Sequence, residues 1–148
     1  MDKILIAVGY SKNKLQKAGV RFVKKTYDYI MSSIDRYTAI YNIVRKSNQF
    51  GNIAKNDSLE LCDDFVYDIP FTKVIEVNGY DLNISQWSKQ FEYDIIGIST
   101  AASVLSIALS LYSEDMKVNI LSEYCYDRMG LEKEAKKICD AYMPGVYQ

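Results

Sequence analysis

The sequence contains no histidine at all. That excludes His-based general base chemistry, His-containing zinc sites and the Ser–His–Asp and Cys–His arrangements of hydrolases. Cysteine is scarce as well. Cys62, Cys125 and Cys139 form neither a CxxC motif nor a disulfide framework. An odd count, read together with the lack of a signal peptide, leads to the expectation of a reducing, cytoplasmic setting. Only 7 Gly and 2 Pro exclude collagen-like and Pro-rich architectures. An excess of positive charge is also missing: 18 basic residues stand against 19 acidic ones, net −1. A nucleic-acid duplex is therefore not an expected partner.

What is present is an ordinary globular composition, 49% hydrophobic and 25% charged over 148 residues. This length is enough for a substantial core, and residues 1–148 read as a single domain. One uncharged stretch, residues 95–113, is about as long as a bilayer span. It carries Gly97, Thr100 and five Ser, and acids flank it at Asp94 and Glu114. It reads as a strand, a turn and a buried helix, so no membrane partner is expected.

Apolar runs and β-branched segments predict strands at residues 4–8 (ILIAV), 37–44 (YTAIYNIV), 64–69, 72–77, 94–99 (DIIGIS) and 116–121 (MKVNIL). Helical spacing appears over residues 18–34, where Val20, Val23, Tyr27, Ile30, Met31 and Ile34 share a face. Further helices are expected at 83–91, carrying Trp87, at 101–113, and at 130–142 with Leu131, Ala135, Ile138 and Cys139 inward. Residues 45–59 read as a polar loop, and 143–148 as an edge strand or a tail. Strands alternating with helices imply right-handed βαβ units. The expected architecture is α/β: a three-layer α-β-α sandwich with a mostly parallel sheet of five or six strands.

In such sheets ligands bind beyond the carboxyl ends of the strands. That directs attention to Gly9–Tyr10, Arg45, 77–80, 99–103 and 122–128. Tyrosine is abundant, 13 of 148 residues, and Tyr10, Tyr80, Tyr124 and Tyr126 stand at expected strand ends. A Tyr ring suits stacking on a base or a pyridine ring, and it equally replaces Phe in a core. Two or three of the tyrosines are expected to line a site, Tyr10 and Tyr80 foremost. Arg45 follows the second strand, where it could clamp a phosphate or carboxylate. Glu123 could accept ribose hydroxyls, or pair with surface cations alongside Asp127 and Arg128. Cys125 lies beside Tyr124 with Arg128 as its one nearby cation, a weak setting for thiolate activation.

Residues 95–111, IIGISTAASVLSIALSL, run into the strand MKVNIL and on through SEYCYDRMGLEKEA. This segment resembles the strand, turn, helix and next strand around the nucleophile of the isochorismatase-like cysteine hydrolases, a family that includes the nicotinamidases. KILIAVGYSKN resembles the family's opening strand, and KVIEVNGYDL resembles its lysine segment. The likeness covers most of the chain at low identity. It implies the isochorismatase-like fold and a non-proline cis peptide just before Thr100, between Ile98 and Ser99. It also implies a catalytic triad of Asp, Lys and Cys, acting as base, support and nucleophile. The three matching positions here are Gly9, Val77 and Ser103. Lys73 lies four residues before Val77 and is the other lysine to weigh. A serine hydroxyl needs an adjacent base that Gly9 cannot provide.

The resemblance thus points to a protein that keeps the pocket and loses the chemistry. The turn at Thr100, Ala102 and Ser103 matches the family's oxyanion hole and could hold an anionic group. Alternatively, Thr100 merely caps the helix there. The expected function is binding or sequestration of a small anionic molecule, nucleotide-derived or nicotinamide-like, in the manner of a phage protein that soaks up a host signalling nucleotide. Tyr10, Arg45, Tyr80, Thr100, Ala102, Ser103, Glu123 and Tyr124 would contact the ligand. No cofactor or metal is implied. Two alternatives are a hydrolase of amides or esters working through Ser103 or Cys125, and an oligomeric scaffold or regulatory subunit. A homodimer or higher oligomer is expected.

Overall fold

The protein is described from a computed structural model that covers residues 1–47, 69–78, 82–83 and 87–148. Five strands form one parallel sheet: β1 (Asp2–Val8), β2 (Ala39–Ser47), β3 (Lys73–Asn78), β4 (Phe91–Ile98) and β5 (Lys117–Tyr126). Their spatial order is β3-β2-β1-β4-β5, with β1 in the centre. The chain reverses direction across the sheet between β1 and β4, as the doubly wound arrangement requires.

The strands bury both faces, which explains their nearly continuous apolar runs. Along β1, Ile4, Ile6 and Val8 point to one face, where they meet Ile95, Val104, Ile107, Leu111 and Cys139. Leu5 and Ala7 point to the other, where they meet Leu15, Val23, Ile30 and Ile96. Helices α1 (Lys12–Ala18) and α2 (Val20–Ser33) cover the second face. Helices α3 (Leu105–Ser113) and α4 (Glu132–Tyr142) cover the first. This is the three-layer sandwich expected from the sequence.

Several expectations need correction. The helix expected over 18–34 is α2, Val20–Ser33, but a further, unexpected helix, α1, precedes it across Gly19, whose φ of 91° no other residue adopts readily. Residues 45–47 continue β2 instead of opening a loop. The strand expected at 64–69 falls almost wholly outside the described residues. The helix expected at 83–91 is not seen among the described residues there: Lys89 and Gln90 form a turn, and Phe91 already belongs to β4. Trp87 packs edge-on against Tyr41 and Tyr93, so ring packing explains its apolar character. On α4, Ala135 and Cys139 are buried, but Leu131 and Ile138 are exposed. Residues 143–148 return to the sheet. Ile120 bridges to Tyr147 in parallel, and Ser122 N–H donates to the Gln148 carbonyl at 2.9 Å. They form the short edge element that the sequence left open.

The larger surprise is in β5. Ile95 pairs with Ile120, but Gly97 pairs with Cys125, so two steps along β4 match five along β5. Residues between them bulge from the ladder, and β5 resumes beside the end of β4. Among the described residues, no helix is long and apolar enough to cross a membrane.

Candidate functional site

The carboxyl ends of β1 and β4 lie side by side, with Val8 opposite Gly97. A β-carbon on Gly97 would sit 2.2 Å from the Val8 carbonyl oxygen and 2.6 Å from its nitrogen. Glycine is therefore required for the two strand ends to meet. Gly9 follows with a φ of 69° and donates its N–H to the Ile43 carbonyl at 2.7 Å. The loop is then fixed by Asn42, buried within β2. Tyr10 N–H donates to Asn42 Oδ1 at 3.2 Å, and Asn42 Nδ2 donates to the Tyr10 carbonyl at 3.1 Å.

Beyond β4 the Ile98–Ser99 peptide is cis, at the place implied by the resemblance. A π-helical turn, Thr100–Val104, leads into α3. The backbone donors of this turn are largely used by the protein itself. Ala101 N–H donates to Asp127 Oδ1 at 2.7 Å. Ala102 and Val104 N–H groups donate to the Ser99 carbonyl at 3.2 and 3.1 Å. Asp127 also accepts from Met129 N–H at 3.1 Å and Leu131 N–H at 2.9 Å, so one buried carboxylate ties the turn to the start of α4. Arg128 joins by its own N–H, which donates to Ser99 Oγ at 3.2 Å.

Thr100 does not cap the helix. Its hydroxyl is buried and has no hydrogen-bond partner among the described residues. An orphaned buried hydroxyl costs roughly 1–3 kcal/mol, which a ligand group could recover.

The residue that sequence reasoning missed is Lys14, on α1. It is 6% exposed and lies across Gly9. Its Cδ is 2.9 Å, and its Nζ 3.4 Å, from the point a β-carbon on Gly9 would occupy. Within KNKLQKA, nothing marks the middle lysine as buried, because α1 has too few apolar residues to announce itself. The space beside Gly9 thus holds an amine. Val77 stands in β3 opposite Arg45. Lys73 begins β3, opposite Tyr41, and four residues of strand, about 13 Å, separate it from Val77. It does not stand in for a lysine at this end of the sheet.

The two expected nucleophiles lack activation. No described group hydrogen-bonds to Ser103 Oγ, and the residue is half-buried. Burial pushes the Cys125 thiol up to about 12, only partly offset by a hydrogen bond with the Gly97 backbone. Its Sγ donates to the Leu121 carbonyl at 3.4 Å. At neutral pH it is a protonated, structural thiol.

The remaining expected contacts are distributed differently from the sequence reading. Tyr10 is fully buried in the α1–α2 layer, its hydroxyl 2.6 Å from Thr26 Oγ1, so it offers no exposed ring face. Tyr124 stacks on Tyr29 of α2 at 4.1 Å between ring centres, beneath Lys25. Glu123, exposed in the β5 bulge, pairs with the same Lys25 at 3.4 Å. The bulge is what carries both toward α2. Arg45 is placed by its backbone near the end of β2. Tyr80 lies outside the described residues. The turn 100–103 and Gly9 are brought together, with Lys14 added. Among the described residues no cluster of His, Cys, Asp and Glu could hold a metal ion.

The overall fold, a five-stranded parallel sheet between two helical layers, is similar to that of several solved structures. An isochorismatase-like hydrolase from Alkaliphilus metalliredigens is 9% identical, with a TM-score of 0.75 over 96% of this chain and 92% of that one. The nicotinamidase of Bacillus subtilis is 16% identical, with a TM-score of 0.74 over 100% and 99%. N-carbamoylsarcosine amidase from Thermoplasma acidophilum is 13% identical, with a TM-score of 0.70 over 100% and 96%. The chain therefore has the isochorismatase-like hydrolase fold, over its whole length. At these identities the likeness is one of fold. No protein-family model matches the sequence, and no curated protein matches it.

Proposed function

We infer that this protein binds a small anionic molecule at the ends of β1 and β4 and does not convert it. The observation that carries the reading is the packing of Lys14 across Gly9. Where a hydrolase of this fold would need a proton acceptor, the chain places an aliphatic stem and an ammonium group. A cation beside the turn suits a carboxylate or phosphate, and the unpartnered Thr100 hydroxyl can complete its coordination. Ser103 without a base and Cys125 held as a thiol both support binding over hydrolysis. The ligand class that fits is a nucleotide-derived or nicotinamide-like anion, and stoichiometric retention would amount to sequestration.

The test is mass spectrometry of small molecules released on denaturing the purified protein. An intact anionic metabolite at near-stoichiometric yield is the expected result, with lower occupancy in Lys14→Met. A metabolite recovered together with its cleavage product would overturn the non-catalytic reading. An empty protein whose melting temperature no nucleotide or pyridine carboxylate raises would overturn the binding reading.

A further inference from the structure

At the opposite end of the sheet, the amino ends of β1 and β4 border a cavity of about 340 Å³ lined by Met1, Lys3, Arg36, Tyr37 and Asp94. Its volume is within the range of small-molecule sites. Six residues of strand, about 20 Å, separate Lys3 from Gly9, so this cavity is distinct from the site above.

The floor of the cavity is already neutral and fully bonded. Asp94 is buried, and its Oδ2 accepts from Tyr37 OH at 2.8 Å and Lys3 Nζ at 3.4 Å. Its Oδ1 accepts from Asn119 Nδ2 at 2.8 Å. Lys3 is shared with Glu92 at 3.7 Å. Tyr29 OH, 2.6 Å from Tyr37 OH, can donate only inward, since Tyr37 gives its proton to Asp94. Burial and these bonds push the Tyr37 hydroxyl up, keeping it a neutral donor.

The wall is different. Arg36 ends the short 3-10 turn Ile34–Arg36, and its guanidinium lies 5.8 Å from the centre of the Tyr29 ring. Among the described residues it has no ion pair and no side-chain hydrogen bond. An aromatic face orients it without neutralising it, which leaves its donor fork available. Lys3 and Lys117, which pairs with Glu92 at 3.3 Å, together offset Asp94 and Glu92, so Arg36 gives the side chains around the cavity a surplus of one positive charge.

The geometry points to a second ligand site here, one that takes a small molecule carrying a single carboxylate, gripped by Arg36 and bounded by Lys3 and Tyr37. A monoanion matches the surplus charge, and a planar carboxylate matches the guanidinium fork.

Acetate is the probe. It is titrated into isotope-labelled full-length protein at constant ionic strength set with chloride, with backbone amide shifts as the readout. Saturable shifts at Lys3, Arg36, Tyr37 and Asp94 are expected, with Gly9 and Thr100 unmoved. Arg36→Gln, at an exposed position, should weaken binding roughly tenfold or more, and Arg36→Lys should fall between the two. Shifts that fail to saturate, or wild-type affinity in Arg36→Gln, would overturn the site. Saturable binding of inorganic phosphate without acetate would overturn its assignment to a monoanion. Saturation confined to Gly9 and Thr100 would sink this site while leaving the first intact.

Discussion

Lys14 occupies the space into which a side chain at position 9 would have to grow, its Cδ only 2.9 Å from that point. The Ile98 carbonyl oxygen closes the same space at 2.9 Å. A lysine stem can swing away, but a backbone carbonyl cannot, and the φ of +69° adds strain for any L side chain. Gly9→Asp should therefore destabilise the protein by about 1–3 kcal/mol in urea denaturation. The pair Gly9→Asp, Ser103→Cys should show no amidase activity towards nicotinamide. Turnover by that double variant would show that the acid can displace Lys14 after all.

Thr100→Val separates a structural from a ligand-related role. Valine keeps the shape and removes a buried hydroxyl that bonds to nothing among the described residues. The free protein should lose no stability, and could gain up to about 1 kcal/mol, because no hydrogen bond is sacrificed. Binding of the ligand should weaken in the same variant. A loss of more than about 1 kcal/mol in the free protein would show that the hydroxyl already has a partner.

Much of the fold was legible because both sheet faces are buried. Runs such as ILIAV in β1 and DIIGI in β4 read as central strands. The cis peptide and the turn at Thr100 followed from a resemblance in one segment. Lys14 and Asn42 were not legible. Their roles come from what they touch, and a buried lysine or asparagine looks in sequence like any exposed one. The β5 bulge was hidden for a related reason. The MKVNIL run stops at Leu121, and the pairing that resumes at Cys125 depends on β4 standing beside it. In sequence Glu123 and Tyr124 therefore read as the end of a strand, although they sit in the bulge.

Asp127 is the residue whose loss should most disturb the turn. Its carboxylate accepts from the backbone of Ala101, Met129 and Leu131, linking the turn after β4 to the start of α4 alongside the Arg128 N–H bond to Ser99 Oγ. Each bond to a charged acceptor contributes roughly 1 kcal/mol or more. Asp127→Ala should cost about 3 kcal/mol in denaturant unfolding. Hydrogen exchange should accelerate at Ala101 and Leu131 before it does in β1. A loss below about 1 kcal/mol would mean that water replaces the carboxylate without penalty.

The thiol of Cys125 makes a prediction about alkaline pH. Its folded value, pushed up to about 12 by burial, lies above the ordinary 9.0. Between these two pH values the unfolded chain releases the thiol proton and the native chain retains it. The unfolded state then binds fewer protons, so stability falls as pH rises. The contribution is intact below pH 9 and declines towards pH 12, where the native thiol ionises too. Tyrosines titrate in the same window, so the comparison must be with Cys125→Ala. That variant should show a shallower loss of stability with pH over this range. Thiol-reactive reagents at pH 8 should label native Cys125 only as fast as the protein opens, since the thiolate they need is nearly absent. Fast labelling of Cys125 in the folded protein, with the same pH slope in Cys125→Ala, would establish an accessible thiolate and return the residue to the list of nucleophiles.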